Sequence, residues 1–153
     1  MPLPTLTGAR SPAHELPYLF PGQAQKEAFV NEAFARIDAL LQPVVIGERA
    51  APPADPASGD CYLVGEPASG AWIGRERAVA VWAQNQWLFC PPREGARILD
   101  LASGALALFS AAEGWQRIAA PALPAGGATL DAEARAAIAA MGAALRAAGI
   151  FSA

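Results

Sequence analysis

Between Cys61 and Ile118 the apolar residues come in short runs: CYLV, GAWIG, AVAVWA, QWLFC, ARILDL, ALALF and GWQRIA. Each run is bounded by Gly, Pro, Asp, Asn or Ser, the residues that make turns. Strands this short bury nothing by themselves, so the stretch has to pair into a small sheet or close into a barrel. Two junctions read as hairpins. VAVWAQNQWLF and LALFSAAEGWQRI each run strand, polar turn and return strand, with Trp87 or Trp115 near the start of the return. An antiparallel arrangement follows.

Helical spacing holds on either side of this region. From Gln23 to Leu41 the apolar residues Val30, Ala33, Phe34, Ile37, Leu40 and Leu41 recur on one side. Lys26, Glu27, Asn31, Glu32, Arg36 and Asp38 fall largely elsewhere, and Pro43 sets a stop. The pattern predicts that Val30, Phe34, Ile37 and Leu41 are buried against the sheet or a neighbouring subunit. A second helix is expected after Thr129. Thr129 or Asp131 can cap it, Glu133 and Arg146 complement its dipole, and Gly149 can end it. Its apolar positions Ala134, Ile138, Met141, Leu145 and Ala148 alternate steps of four and three, a heptad seam about two heptads long. That seam can pack on its own sheet, or Ile138, Met141 and Leu145 can form an oligomer interface around a symmetry axis.

Residues 1–21 carry five prolines and little periodicity, which predicts an extended arm. The expected fold class is therefore α+β: extended N-terminal arm, amphipathic helix, small antiparallel β-sheet or barrel, C-terminal helix. The divisions fall at 1–21 for the arm, 22–43 for the first helix, 44–120 for the β domain, 121–128 for a linker and 129–151 for the last helix.

Composition narrows the function. The 153 residues carry a net charge of −3, which supplies no basic face for nucleic acid. No window approaches the roughly 20 apolar residues of a membrane span, and prolines interrupt the N-terminus where a secretory signal would need an apolar run. Cys61 and Cys90 lie in strand-like runs; a disulfide between them stays open, and the expectation is two buried free thiols in a reducing cytoplasm. Catalysis has little to stand on. His14, the single histidine, lies in the arm apart from both cysteines, so neither a Cys–His pair nor a metal-ligand spacing emerges. Neither a GxGxxG nor a P-loop motif occurs. Asp55, Asp60, Glu66, Glu76, Glu94 and Asp100 are spread through the β region and read as loop and edge residues that keep it soluble. No catalytic residue, metal or cofactor is expected. Tryptophans remain: Trp82 reads as core or interface, and any exposed members of Trp72, Trp87 and Trp115, near turns, are candidates for stacking on sugar rings.

The segments LPYLFPGQAQKEAFVNEAFARIDALLQPVV, SGDCYLVG, SGAWIG, VAVW, QWLFCPPREG and a closing GW occur in that order between Leu16 and Ile118. Together they resemble an uncharacterised domain of alphaproteobacterial prophages and gene transfer agents, whose members are tail-fibre, tail or head-spike components. The PGQAQKE…NE run is the most specific part. No catalytic residues are established for the family, so the resemblance assigns none. It implies a non-enzymatic virion structural protein, a base or adaptor subunit of a head spike or tail fibre, assembled in the bacterial cytoplasm and located in the particle. Its partners would be capsid or tail proteins, a spike or fibre protein, further copies of itself and capsular polysaccharide. A head vertex would impose a pentamer, and a fibre a trimer. Leu16, Tyr18, Leu19 and Phe20, held between Pro17 and Pro21, would then be the particle-docking residues, buried on assembly. The alternative is a free-standing carbohydrate-binding module that uses surface Trp residues, and a small carboxylate hydrolase comes third.

Overall fold

A computed structural model describes residues 27–126 and 131–152 together with Tyr18. The α+β class expected from the sequence holds, with two helices and two small sheets. The chain divides into two compact units, the first ending at Pro92 and the second beginning at Arg93, inside the stretch 44–120 expected as one β domain.

The first unit opens with helix α1 (Glu27–Leu41). Two short strands follow, β1 (Val44–Val45) and β2 (Glu48–Arg49). After a proline-rich loop come β3 (Cys61–Val64), a single 3₁₀ turn at Gly70–Trp72, β4 (Val79–Ala83) and β5 (Gln86–Cys90). The sheet runs β2-β3-β4-β5. β3, β4 and β5 pair antiparallel as the hairpin spacing predicts, whereas β2 lies parallel to β3 with Glu48 opposite Leu63. The β4–β5 connection places both Gln84 and Asn85 at positive φ, 52° and 58°. That is the backbone of a two-residue turn whose twist matches the flanking strands.

Alternation gives this sheet two faces. Cys90, Val79 and Leu63 lie side by side across the ladder, as do Leu88, Val81 and Cys61. α1 packs on this face. Its Ala35 and Ala39 are buried, small enough for close approach, and its Arg36 donates to the Phe89 carbonyl and lies 3.9 Å from Cys90 Sγ. The opposite face carries Tyr62, Val64, Ala80, Trp82, Trp87 and Phe89. Trp72, delivered by the 3₁₀ turn, is its fully buried centre.

α1 does not bury the expected stripe. Ala35, Asp38 and Ala39 point inward, while Ile37 is 47% exposed, Leu41 60% and Phe29 80%; Val30 and Phe34 are half-buried. The periodicity found an apolar face correctly, but the sheet takes the opposite face, where alanines permit a shorter separation.

The second unit contains β6 (Arg97–Asp100), β7 (Ala105–Ser110), β8 (Gly114–Arg117) and helix α2 (Ala132–Ala147). β6, β7 and β8 pair antiparallel in chain order. β7 alternates strictly, Ala105, Ala107 and Phe109 buried and Leu106 and Leu108 exposed. Asp131, of the two caps foreseen, caps α2: its side chain accepts from Ala134 N at 2.9 Å. Gly149, at φ 71°, ends the helix, and the segment after it returns to the sheet. Leu106 N donates to Gly149 O at 2.6 Å and Ser152 N to Ile118 O at 2.9 Å. α2 itself has no buried residue.

Candidate functional site

Of the proposed docking residues, Leu16, Leu19 and Phe20 lie outside the described residues, as does His14. Tyr18 is half-buried. Burial pushes its ionisation above the usual phenol range; the Gln84 side chain works the other way, and the negative charge of Asp38 adds to the rise.

The tryptophans separate into two groups. Trp72 is fully buried, so it offers no face to a sugar, and its Nε1 has no hydrogen-bond partner among the described residues. It meets Trp87 edge-on at 5.0 Å, and Trp87 lies 5.1 Å from Trp82. Trp87 and Trp82 are half-buried and keep part of their surface open. Trp115, also half-buried, packs edge-on against Phe109 at 5.3 Å. Two arginines dress the aromatic face: Arg49 stands over Tyr62 at 5.7 Å and Arg75 over Phe89 at 5.2 Å.

Ile138 and Met141, two of the expected interface residues, are 41% and 58% exposed on α2, and Leu145 is half-buried. Their exposure leaves the heptad seam facing outward. With the outer face of α1 it makes two apolar helix surfaces, one in each unit.

Cys61 and Cys90 are free thiols. Burial pushes Cys61 up to about 12, with Cys90, Asp60 and Asp38 adding to the rise. Burial also raises Cys90, against the opposing pull of Arg36. A thiol held protonated is a poor nucleophile and a poor metal ligand. No group of three or more His, Cys, Asp or Glu that could hold a metal ion occurs among the described residues. No helix among them is long and apolar enough to cross a membrane.

Two charged groups escaped the sequence reading. Asp100 is 2% exposed and accepts from Arg117 Nε at 2.6 Å and from Ala102 N at 3.0 Å. Asp38 is equally buried, in the face of α1 turned to the sheet. For Asp38 the signal was available: it falls outside the apolar stripe, on the side that alanines share. For Asp100 nothing in RILDL marks an inward carboxylate until β8 supplies Arg117.

A comparison with known families matches residues 30–116 to the family described as protein of unknown function, DUF2793. The match covers more than half of the chain. The chain belongs to the DUF2793 family. The DUF2793 match runs from α1 into β8 and so takes in the aromatic face and Asp100; Arg117, Tyr18 and α2 lie outside it. No curated protein and no solved structure matches the chain.

Proposed function

We propose that this DUF2793 protein is a non-enzymatic structural component of a phage-like particle, a base or adaptor subunit of a head spike or tail fibre. The observation that carries the reading is the pair of outward apolar helix faces. α2 is 16 residues long and buries none of them. A helix of that length is marginal in water alone, so its seam of Ile138, Met141 and Leu145 calls for a partner. The outer face of α1 makes the same demand. Further copies of the chain, arranged as a symmetric oligomer, satisfy both. The order of segments shared with prophage and gene-transfer-agent proteins supports the particle setting, with capsid or tail proteins on one side and a spike or fibre protein on the other.

Mass spectrometry of purified particles tests this. The protein is expected among their components, with a native mass corresponding to five copies on a head vertex or three on a fibre. A soluble monomer absent from particles would defeat the reading. A second reading, contact with capsular polysaccharide, draws on the partly open surfaces of Trp87 and Trp115. Multiple copies would supply avidity to a weak single site. Unchanged polysaccharide binding by folded Trp87→Ala and Trp115→Ala oligomers would remove it.

A further inference from the structure

The second unit leaves two apolar surfaces open, one on its sheet and one on its helix. Register sets Leu99 opposite Leu106 and Arg97 opposite Leu108, on the sheet face away from buried Ile98, Ala105 and Ala107. Gln116, opposite Leu108, continues that face on β8, and Ile118 two residues on extends it. Leu106, Leu108 and Ile118 are 40%, 42% and 54% exposed. Three strands about 4.8 Å apart make a face about as wide as one helix with its side chains, roughly 10–12 Å. α2, for its part, is held at both ends and covered along none of its length. Arg135 donates to Pro124 O at 2.7 Å and to Gly126 O at 2.5 Å. Past the other end, Gly149 O takes the N–H of Leu106, and a side chain at Gly149 would begin 3.8 Å from Leu99 Cδ1. The last turn of α2 therefore stands at the rim of the apolar sheet face, yet no residue of the helix is buried.

We propose that α2 of one copy lies, seam down, across the Leu99–Leu106–Ile118 face of the next copy. This rests on the oligomer reading above and names its contact. Packing seam against seam around an axis would bury three large side chains from each copy, Ile138, Met141 and Leu145. That is a small part of the roughly 800 Å² per partner that a stable contact covers. Packing the seam on the sheet adds Leu99, Leu106, Leu108 and Ile118, and a helix stripe on a sheet face is a standard layer of protein cores. The polar rim matches as well. Arg97 is exposed on the sheet and Glu133 in the first turn of α2, and neither has an ion-pair partner among the described residues. Each copy gives its helix to one neighbour and its sheet to the other, the head-to-tail relation that closes into rings.

Mixing two damaged full-length chains tests the contact, with native mass spectrometry as the readout and thermal melts to check folding. Met141→Glu damages the helix seam and keeps the sheet face; Leu106→Glu damages the face and keeps the seam. Each alone should be folded and monomeric, its dissociation constant raised at least about a hundredfold by an unpaired charge at the contact. Mixed in equal amounts they should form one-to-one pairs, because the intact seam of one meets the intact face of the other. Ile138→Glu and Ile118→Glu take their places if either fails to fold. A mixture that stays monomeric while wild type assembles would overturn the helix-on-sheet contact and leave the oligomer reading standing. Either variant assembling like wild type would overturn it too, and a monomeric wild type would defeat both. Pairing in the mixture by a protein absent from particles would uphold the contact and defeat only the particle reading.

Discussion

Consider a glutamate placed at two neighbouring positions of α1, Ile37→Glu and Ala39→Glu. Ile37 is 47% exposed on the outer face, and Ala39 is 8% exposed against the sheet. A fully buried large aliphatic side chain contributes about 1.5–3 kcal/mol, so Ile37, roughly half covered, contributes on the order of 1 kcal/mol to the isolated chain. Glutamate there keeps its charge in water and costs about that much. Ala39→Glu has to push a larger, charged group into the α1–sheet contact, and an unpaired buried charge costs several kcal/mol. The order reverses for assembly. A glutamate at position 37 would be desolvated at every copy of a subunit contact, so the loss multiplies with symmetry. Thermal melts of dilute protein should show Ile37→Glu within about 2–4 °C of wild type, using the usual conversion for a domain of this size. Ala39→Glu should melt far lower or fail to fold. Native mass spectrometry should find Ile37→Glu folded but monomeric. An Ile37→Glu variant that unfolds like Ala39→Glu, or that assembles like wild type, would refute the inside–outside assignment of α1.

Asp100→Ala removes the buried carboxylate that accepts from Arg117 and Ala102 N, and a loss of about 3 kcal/mol is expected in urea unfolding; Arg117→Met should cost at least as much, because it leaves the more deeply buried Asp100 charge without that cation. Asn85→Gly should stabilise the first unit by about 0.5–1 kcal/mol, since Asn85 occupies φ 58° in a two-residue hairpin turn where glycine is unstrained, and the melting midpoint reports it. The thiols give a pH dependence. Cys61 ionises in the unfolded chain near its ordinary value of 9.0 but only at about 12 when folded. Below the lower value both states are protonated and the contribution is constant. Above it the unfolded state loses its proton first, so stability falls as the pH rises from about 9 toward 12. Denaturant midpoints across that range should decline more in wild type than in Cys61→Ala, and a parallel decline would refute the assignment.

Much of the fold was legible because the runs were short and their turns explicit. The QN turn and the SAAEG turn announced their hairpins, and Asp131 and Gly149 marked the ends of α2. What escaped was tertiary. Nothing in ERAAPPADP reveals that Glu48 and Arg49 form a strand parallel to β3. Hydrophobic periodicity located the apolar face of α1 but not its direction, because alanines at 35 and 39 win the sheet by size. Trp72 sits in GAWIG between turn residues, where a local reading makes it accessible; the Tyr62 and Trp87 rings that enclose it come from β3 and β5.

The tail after α2 has a practical consequence. Phe151 forms a parallel bridge with Ile118, and Gly149 O takes the N–H of Leu106. The last residues therefore close an edge that would otherwise present unpaired backbone groups. Replacing Gly149 carries a strain cost, since its φ of 71° is one that L side chains rarely adopt. Deleting everything beyond the linker to silence α2 would thus do two things at once, removing the seam and opening the sheet to edge-on pairing with another chain. Aggregation of such a truncation would say nothing about the seam. Ile138→Ser and Leu145→Ser in the full chain isolate it.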